Sequence, residues 1–140
     1  MNPYARFEAA CQRLASWAPL PLRLGVGIVF LNHGIGKFNN GVAGVAGFFG
    51  HIGIPLPAVA AVVVITVETV GAACVITGLL TRFWTACMAI EMVVAILMAS
   101  LPSHRGFELE GLLVAGSLAL VVLGDGPAAL GALLKRGAHR

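Results

Sequence analysis

Between Leu56 and Leu80 the chain carries a single charged residue, Glu68. An α-helix needs roughly 20 apolar residues to cross about 30 Å of hydrocarbon, and this stretch supplies them. Three further runs share that character. Leu22 to Phe38 is interrupted by Arg23, His33 and Lys37, and Phe83 to Leu101 carries Glu91. Phe107 to Leu123 opens on Glu108 and Glu110 and stops at Gly124-Asp125-Gly126-Pro127, a strong helix terminator. Only 11% of the 140 residues are charged and 59% are apolar, against about 25% charged in ordinary soluble domains. Too few charges remain to coat a water-facing surface, so the chain needs a bilayer as solvent. Its hydrophobicity excludes disorder. Three scattered cysteines without a CxxC exclude a disulfide scaffold. A net charge of +3 with no dense basic stripe gives no footprint for nucleic acid.

The expected fold is all-α: one domain, residues 1–140, forming an integral-membrane bundle of four transmembrane helices at about 22–38, 56–80, 83–101 and 107–123. Residues 1–20 form an N-terminal segment. The Gly-rich stretch 39–55 is expected as the outer loop, with a short re-entrant helix as the other reading. Arg6, Arg13, Arg23, Arg82, Lys135, Arg136 and Arg140 fall on one side of such a bundle, and only Lys37 and Arg105 on the other. Both termini are therefore expected in the cytoplasm. The first apolar run has no A-x-A-like cleavage site and reads as a retained span, not a signal peptide.

Ionisable groups at membrane depth cost about 2.5–3.5 kcal/mol each on insertion scales and normally face the bundle interior. At about 100° per residue, Arg23, His33 and Lys37 lie within roughly 80° of one another. Gly27 and Gly34 sit on the adjoining edge. Glu68 shares its face with Ala61, Gly71, Ala72, Val75 and Gly78, and Glu91 with Trp84, Cys87, Met88, Ala95 and Met98. Glu108 lies over the small residues Gly111, Ala115 and Ala119 and is expected inside, with Glu110 at the membrane edge. His33, Lys37, Glu68, Glu91 and Glu108 are thus candidates to line one outward-opening cavity and hold a ligand. The plainer alternative is a set of structural ion pairs, such as Lys37 with Glu108, that fix helix register.

A dinucleotide fingerprint is absent, and no covalently attached cofactor is expected. Haem is disfavoured, because His33 is the one mid-bundle histidine and a second ligand would have to come from elsewhere. No metal site is expected, since His33, Glu68 and Glu108 are not a diagnostic ligand set. Cys74 and Cys87 lie at similar depth, yet Cys74 is rotated about 120° from Glu68, and a cysteine in an apolar helix is most often inert filler. A quinone fits the polar residues best. Its two carbonyls accept hydrogen bonds, for which His33 and Lys37 are the donors. Its reduction takes up two protons, for which Glu68 and Glu108 are the expected proton acceptors. The chain offers no electron source, which makes a membrane subunit or quinone-docking module the better reading than a self-sufficient enzyme. Two other classes compete. A small proton-coupled exporter would keep its key carboxylate in the first helix, where this chain has none. A membrane scaffold would recruit soluble redox enzymes on its basic face.

The run RLGVGIVFLNHGIGKF resembles the first helix of the DoxX family, in which an Arg opens the helix and an H-G-x-x-K segment closes it. GFFGHIGIPLP is similar to that family's first loop. VETVGAACVITGLLTRF is similar to its second helix and G-L-x-T-R turn, and FELEGLLVAGSLALVVLGDG to its last helix. The resemblance covers about residues 20 to 130. It implies a small multi-pass protein of the bacterial inner membrane, in a family named after a subunit linked to terminal quinol oxidase and thiosulfate:quinone oxidoreductase. Other members are associated with thiol and oxidative-stress redox partners. Arg23, His33, Lys37, Glu68, Arg82 and Glu108 match the family's polar pattern, with Arg23 and Arg82 expected in structural roles. Glu91 matches no family position and rests on geometry alone. Ala129-Leu130-Gly131 stands where the family often has Ser-Leu-Asp, so no role for the C-terminal segment carries over. The expected partners are the lipid bilayer, a quinone, a redox protein or a second copy in a homodimer.

Overall fold

The computed structural model describes residues 2–132. Every regular element among them is helical. Helix α1, Pro3–Leu14, starts where the Asn2 side chain accepts from the Ala5 N–H at 2.8 Å and Pro3 takes the first helical position. Residues 1–20, expected only as a segment ahead of the first span, thus contain a helix. After a single 3₁₀ turn, Ala15–Trp17, the chain bends by 51° into α2, Pro19–His51.

Helix α2 is interrupted at Gly41, whose φ of 74° and ψ of 160° lie where a Cβ is disfavoured. Within the stretch 39–55, read as an outer loop or as one holding a short helix, the chain is helical on both sides of that break as far as His51, in line with the second reading. The reason is burial. Val45 and Phe49 recur at helical spacing and pack on Ala61 and Ile65 in a small second core. Tertiary contact here outweighs the poor intrinsic propensity of the glycines.

The return path is α3, Pro57–Thr66, which widens into a π turn at Val67–Gly71 and continues as α4, Ala72–Thr77. Helix α5, Thr81–Ala95, ends in a second π turn at Ile96–Ser100. Pro57–Thr77 and Thr81–Ser100 have 21 and 20 residues and mean hydropathies of 2.4 and 1.9. At about 1.5 Å per residue each is roughly 30 Å long, enough to cross a bilayer. The bent pair α1–α2 supplies a third crossing if counted as one span. Helix α6, Glu108–Leu123, has 16 residues, or roughly 24 Å. The main core joins Val26 and Phe30 of α2 to Val75, Met88 and Leu120. The outer surface carries Ile28, Phe38, Val62, Ile90, Leu112 and Val122, each at least half exposed, as suits a chain solvated by lipid.

One end of the bundle is closed by Arg23, which is 1% exposed. Its guanidinium donates to the Asp125 carbonyl and, at 2.8 Å, to the Ala128 carbonyl. The Asp125 carboxylate accepts from the first free N–H of α5, Thr81, at 3.0 Å, and the Gly131 N–H bonds the Gly78 carbonyl at 3.1 Å. The segment after α6 therefore folds back over the α4–α5 turn and is tied to α2. Exposed Arg82 lies against Gly124 at the C-terminal end of α6, where a cation is favoured by the helix dipole. Lys135, Arg136 and Arg140 lie outside the described residues. Arg23→Met is expected to cost about 3 kcal/mol, since charge-assisted hydrogen bonds contribute about 1.5–3 kcal/mol each. The exposed control Arg13→Met should change stability by less than about 0.5 kcal/mol. Unfolding midpoints in mild detergent compare the two, and equal midpoints would refute the latch.

Candidate functional site

On α2 the residues Val26, Gly27, Phe30 and Gly34 follow Arg23 along one buried face, and Lys37 stands at its edge. Gly34 is required by contact. A Cβ built there would lie 2.5 Å from the Glu68 carbonyl oxygen and 2.8 Å from the Glu68 Cβ. Only a glycine lets the backbone of α2 touch the backbone of the α3–α4 π turn. Turns of this wider kind locally shift helical register and recur at functional sites. Here the turn carries Glu68, which is 1% exposed.

Lys37 Nζ donates to both carboxylate oxygens of Glu68, at 2.7 and 2.6 Å. Its own side chain remains 29% exposed. The pair is thus buried on the carboxylate side and open on the ammonium side. Glu91, from the middle of α5, lies close enough to Glu68 for the two carboxyl groups to interact. Its Oε2 is buried with no partner. One ammonium therefore faces two carboxyl groups contributed by two other helices. Two carboxyl groups thus share a single ammonium at mid-helix depth.

Beyond Lys37 a shallow, open cleft runs along the surface of α2, lined by Asn32, His33, Gly36, Lys37, Asn39 and Asn40. The structure thus brings Lys37, Glu68 and Glu91 together, with exposed His33 on the cleft wall and not inside the bundle. Arg23 is 14 residues before Lys37 on the same helix, roughly 21 Å away, and serves the closed end. Glu108 does not join the cluster. It is exposed at the start of α6 and lies over Gly106. The carboxylate on Lys37 is that of Glu68, so a Lys37–Glu108 pair is not formed.

The acid of α6 that turns inward is Glu110, whose Oε1 accepts from Ser100 Oγ at 3.0 Å. The buried face of α6 is Leu113, Ser117 and Leu120, in phase with Glu110. The small-residue seam that suggested Glu108 leaves Ala115 exposed. Small residues permit close approach without requiring it, and the larger apolar side chains won the core-facing side. Cys74 and Cys87 are half-buried free thiols. Among the described residues no three of His, Cys, Asp and Glu converge as a metal-ligating group.

Asn32, Asn39 and Asn40 escaped the charge-based reading. Their signal was available, because amides inside an apolar run are costly and Asn32 and Asn39, seven apart, share a helical face.

The DoxX family pattern matches residues 18–101, from the start of α2 to the end of the second π turn, and so contains the whole Lys37–Glu68–Glu91 cluster. A protein of Bacillus subtilis (strain 168) named "Putative oxidoreductase CatD" is 36% identical over 108 residues, covering 76% of this chain and 78% of its own. No solved structure matches the chain.

Lys37→Met should leave Glu68 buried without its cation and lower stability by about 3 kcal/mol. That is the lower end of the range for a broken buried pair, because Lys37 is partly exposed. The double variant Lys37→Met/Glu68→Gln should recover most of the loss, and a double-mutant cycle on unfolding midpoints measures it. Gly34→Ala should cost about 1–3 kcal/mol by overpacking against the π turn. The same midpoints in mild detergent check it.

Proposed function

The chain belongs to the DoxX family, and from that premise we propose that it is a bacterial inner-membrane subunit of a redox system. Its ligand is a quinone, or another lipophilic carrier with a two-carbonyl headgroup, held at Lys37. In this reading α2, α3–α4, α5 and α6 are four crossings. The excess of Arg6, Arg13, Arg23 and Arg82 over Lys37 and Arg105 puts both termini in the cytoplasm and the cleft toward the outer face.

The observation that carries the proposal is Lys37 itself, an ammonium anchored on a buried carboxylate and presented to an open polar cleft. A bound quinone would supply two carbonyl acceptors and, on taking two electrons from a partner protein, would take up two protons. Lys37 and His33 offer hydrogen bonds to those carbonyls, and the amides of Asn32 and Asn40 can add to them. Glu68 holds Lys37 in place, and the Glu68–Glu91 pair behind it, like His33 on the cleft wall, is able to give or take a proton. Glu108, exposed at the start of α6, lies away from the cleft lining and does not touch the ligand. The chain's relative in Bacillus subtilis carries an oxidoreductase name, which agrees with a redox role. A redox partner or a second copy covers the flank that bears Asn32 and Asn39.

Extraction of the protein purified in gentle detergent, followed by mass spectrometry, tests the reading. An isoprenoid quinone should co-purify. Its yield should fall at least tenfold in Lys37→Met/Glu68→Gln, the variant expected to stay folded, since a charge-assisted hydrogen bond contributes about 1.5–3 kcal/mol. Phospholipid alone in the wild-type extract would overturn it.

A further inference from the structure

Helix α1 is apolar on one side, and among the described residues that side packs against nothing. No residue of α1 is buried, and Tyr4, Phe7 and Leu14 are 72%, 69% and 65% exposed. On a helical wheel Tyr4, Phe7, Cys11 and Leu14 fall within roughly 80° of one another, and Arg6 and Arg13 lie on the opposite side. Trp17 follows at the hinge and is also exposed. A 12-residue helix with a bulky aromatic stripe and a cationic back is poorly suited to water.

We propose that α1 is an interfacial helix, lying in the headgroup region of the bilayer with Tyr4, Phe7, Cys11 and Leu14 in the acyl boundary and Arg6 and Arg13 among anionic lipid phosphates. Three observations single out lipid as the occupant. The first is continuity: α1 runs directly into α2, whose outer surface of Leu24, Ile28 and Ile35 is itself exposed and apolar. The second is orientation. The 51° bend takes α1 out of line with α2, and a tilt of α2 of up to about 40° brings it to the membrane plane. The third is charge, because arginine on the polar face and Trp or Tyr near the boundary are what an anionic interface favours. Pro19, at the start of α2, packs against Gly126, so α1 leaves from the end closed by Arg23 and Asp125. That end also carries Arg82, so Arg6, Arg13, Arg23 and Arg82 outnumber Glu8 and Asp125 there and its net charge is positive.

The inference depends on the membrane reading of the bundle and is independent of the quinone. A nitroxide on Cys11 of the full chain, in a Cys74→Ala/Cys87→Ala background, tests it in vesicles of phosphatidylglycerol and phosphatidylcholine. The label should be more accessible to oxygen than to a water-soluble nickel chelate. A label at Arg13→Cys, with Cys11→Ala added, should show the reverse. Equal nickel accessibility at both positions would place α1 in water and overturn the proposal. Shielding of the Cys11 label from both reagents, with spin–spin broadening, would overturn it in favour of a second copy. A reference label at Ile90→Cys, on the exposed side of α5, separates these outcomes from failure of the membrane reading, in which it too would meet nickel. In vesicles of phosphatidylcholine alone the Cys11 label should gain at least twofold in nickel accessibility. No change there would overturn the role given to Arg6 and Arg13.

Discussion

A lysine and a glutamate at mid-helix depth in an apolar bundle are each intolerable alone, and the site is organised around their meeting. The two-pronged contact from Lys37 to Glu68 requires α2 and the α3–α4 helix to approach until their backbones touch. Gly34 makes that approach sterically feasible, and the π turn at Val67–Gly71 presents the carboxylate at the contact. Glu91 then closes the cluster from α5. Removing the cation would strand two carboxyl groups in an apolar interior, so the polar residues and the helix packing stand or fall together.

The two ends of the bundle use charge in opposite ways. At one end Arg23 is consumed by the Asp125 and Ala128 carbonyls, and the chain after α6 is folded down as a cover. Both terminal nitrogens of the guanidinium donate to backbone carbonyls, which suits a structural latch. Toward the other end Lys37 keeps nearly a third of its side chain exposed, among the amides of Asn32, Asn39 and Asn40. A cation left with unused donors at the mouth of a cleft is available to a ligand. The same residue type thus seals one end and opens the other, because burial and partner supply differ.

Much of this was legible in single helices. The phase of Arg23, His33 and Lys37, the small-residue surroundings of Glu68, and the alignment of Glu91 with Trp84 and Met88 all follow from the 3.6-residue repeat. Three features were not. Glu108 and Glu110 compete for the interior of α6, and the wheel cannot rank a seam of small residues against a face of Leu113, Ser117 and Leu120. Residues 42–51 read equally well as loop or short helix until Val45 and Phe49 find Ala61 and Ile65. His33 shares a face with Lys37 on paper, yet it lies toward the outside, because the buried sector of α2 runs from Val26 round to Gly27 and stops short of His33.

By itself the sequence determined the solvent, the helical class and which residues on each span could not face lipid, since hydropathy and periodicity are properties of one segment. Only the tertiary structure decided who meets whom. The axial rotation and register of neighbouring helices are set by contacts such as Gly34 on Glu68, and those contacts chose Glu68 over Glu108 as the partner of Lys37. They also left the carboxyl of Glu91 beside the pair without a cation of its own. A helical wheel has no coordinate for the neighbour, and at this site the neighbour determines the chemistry.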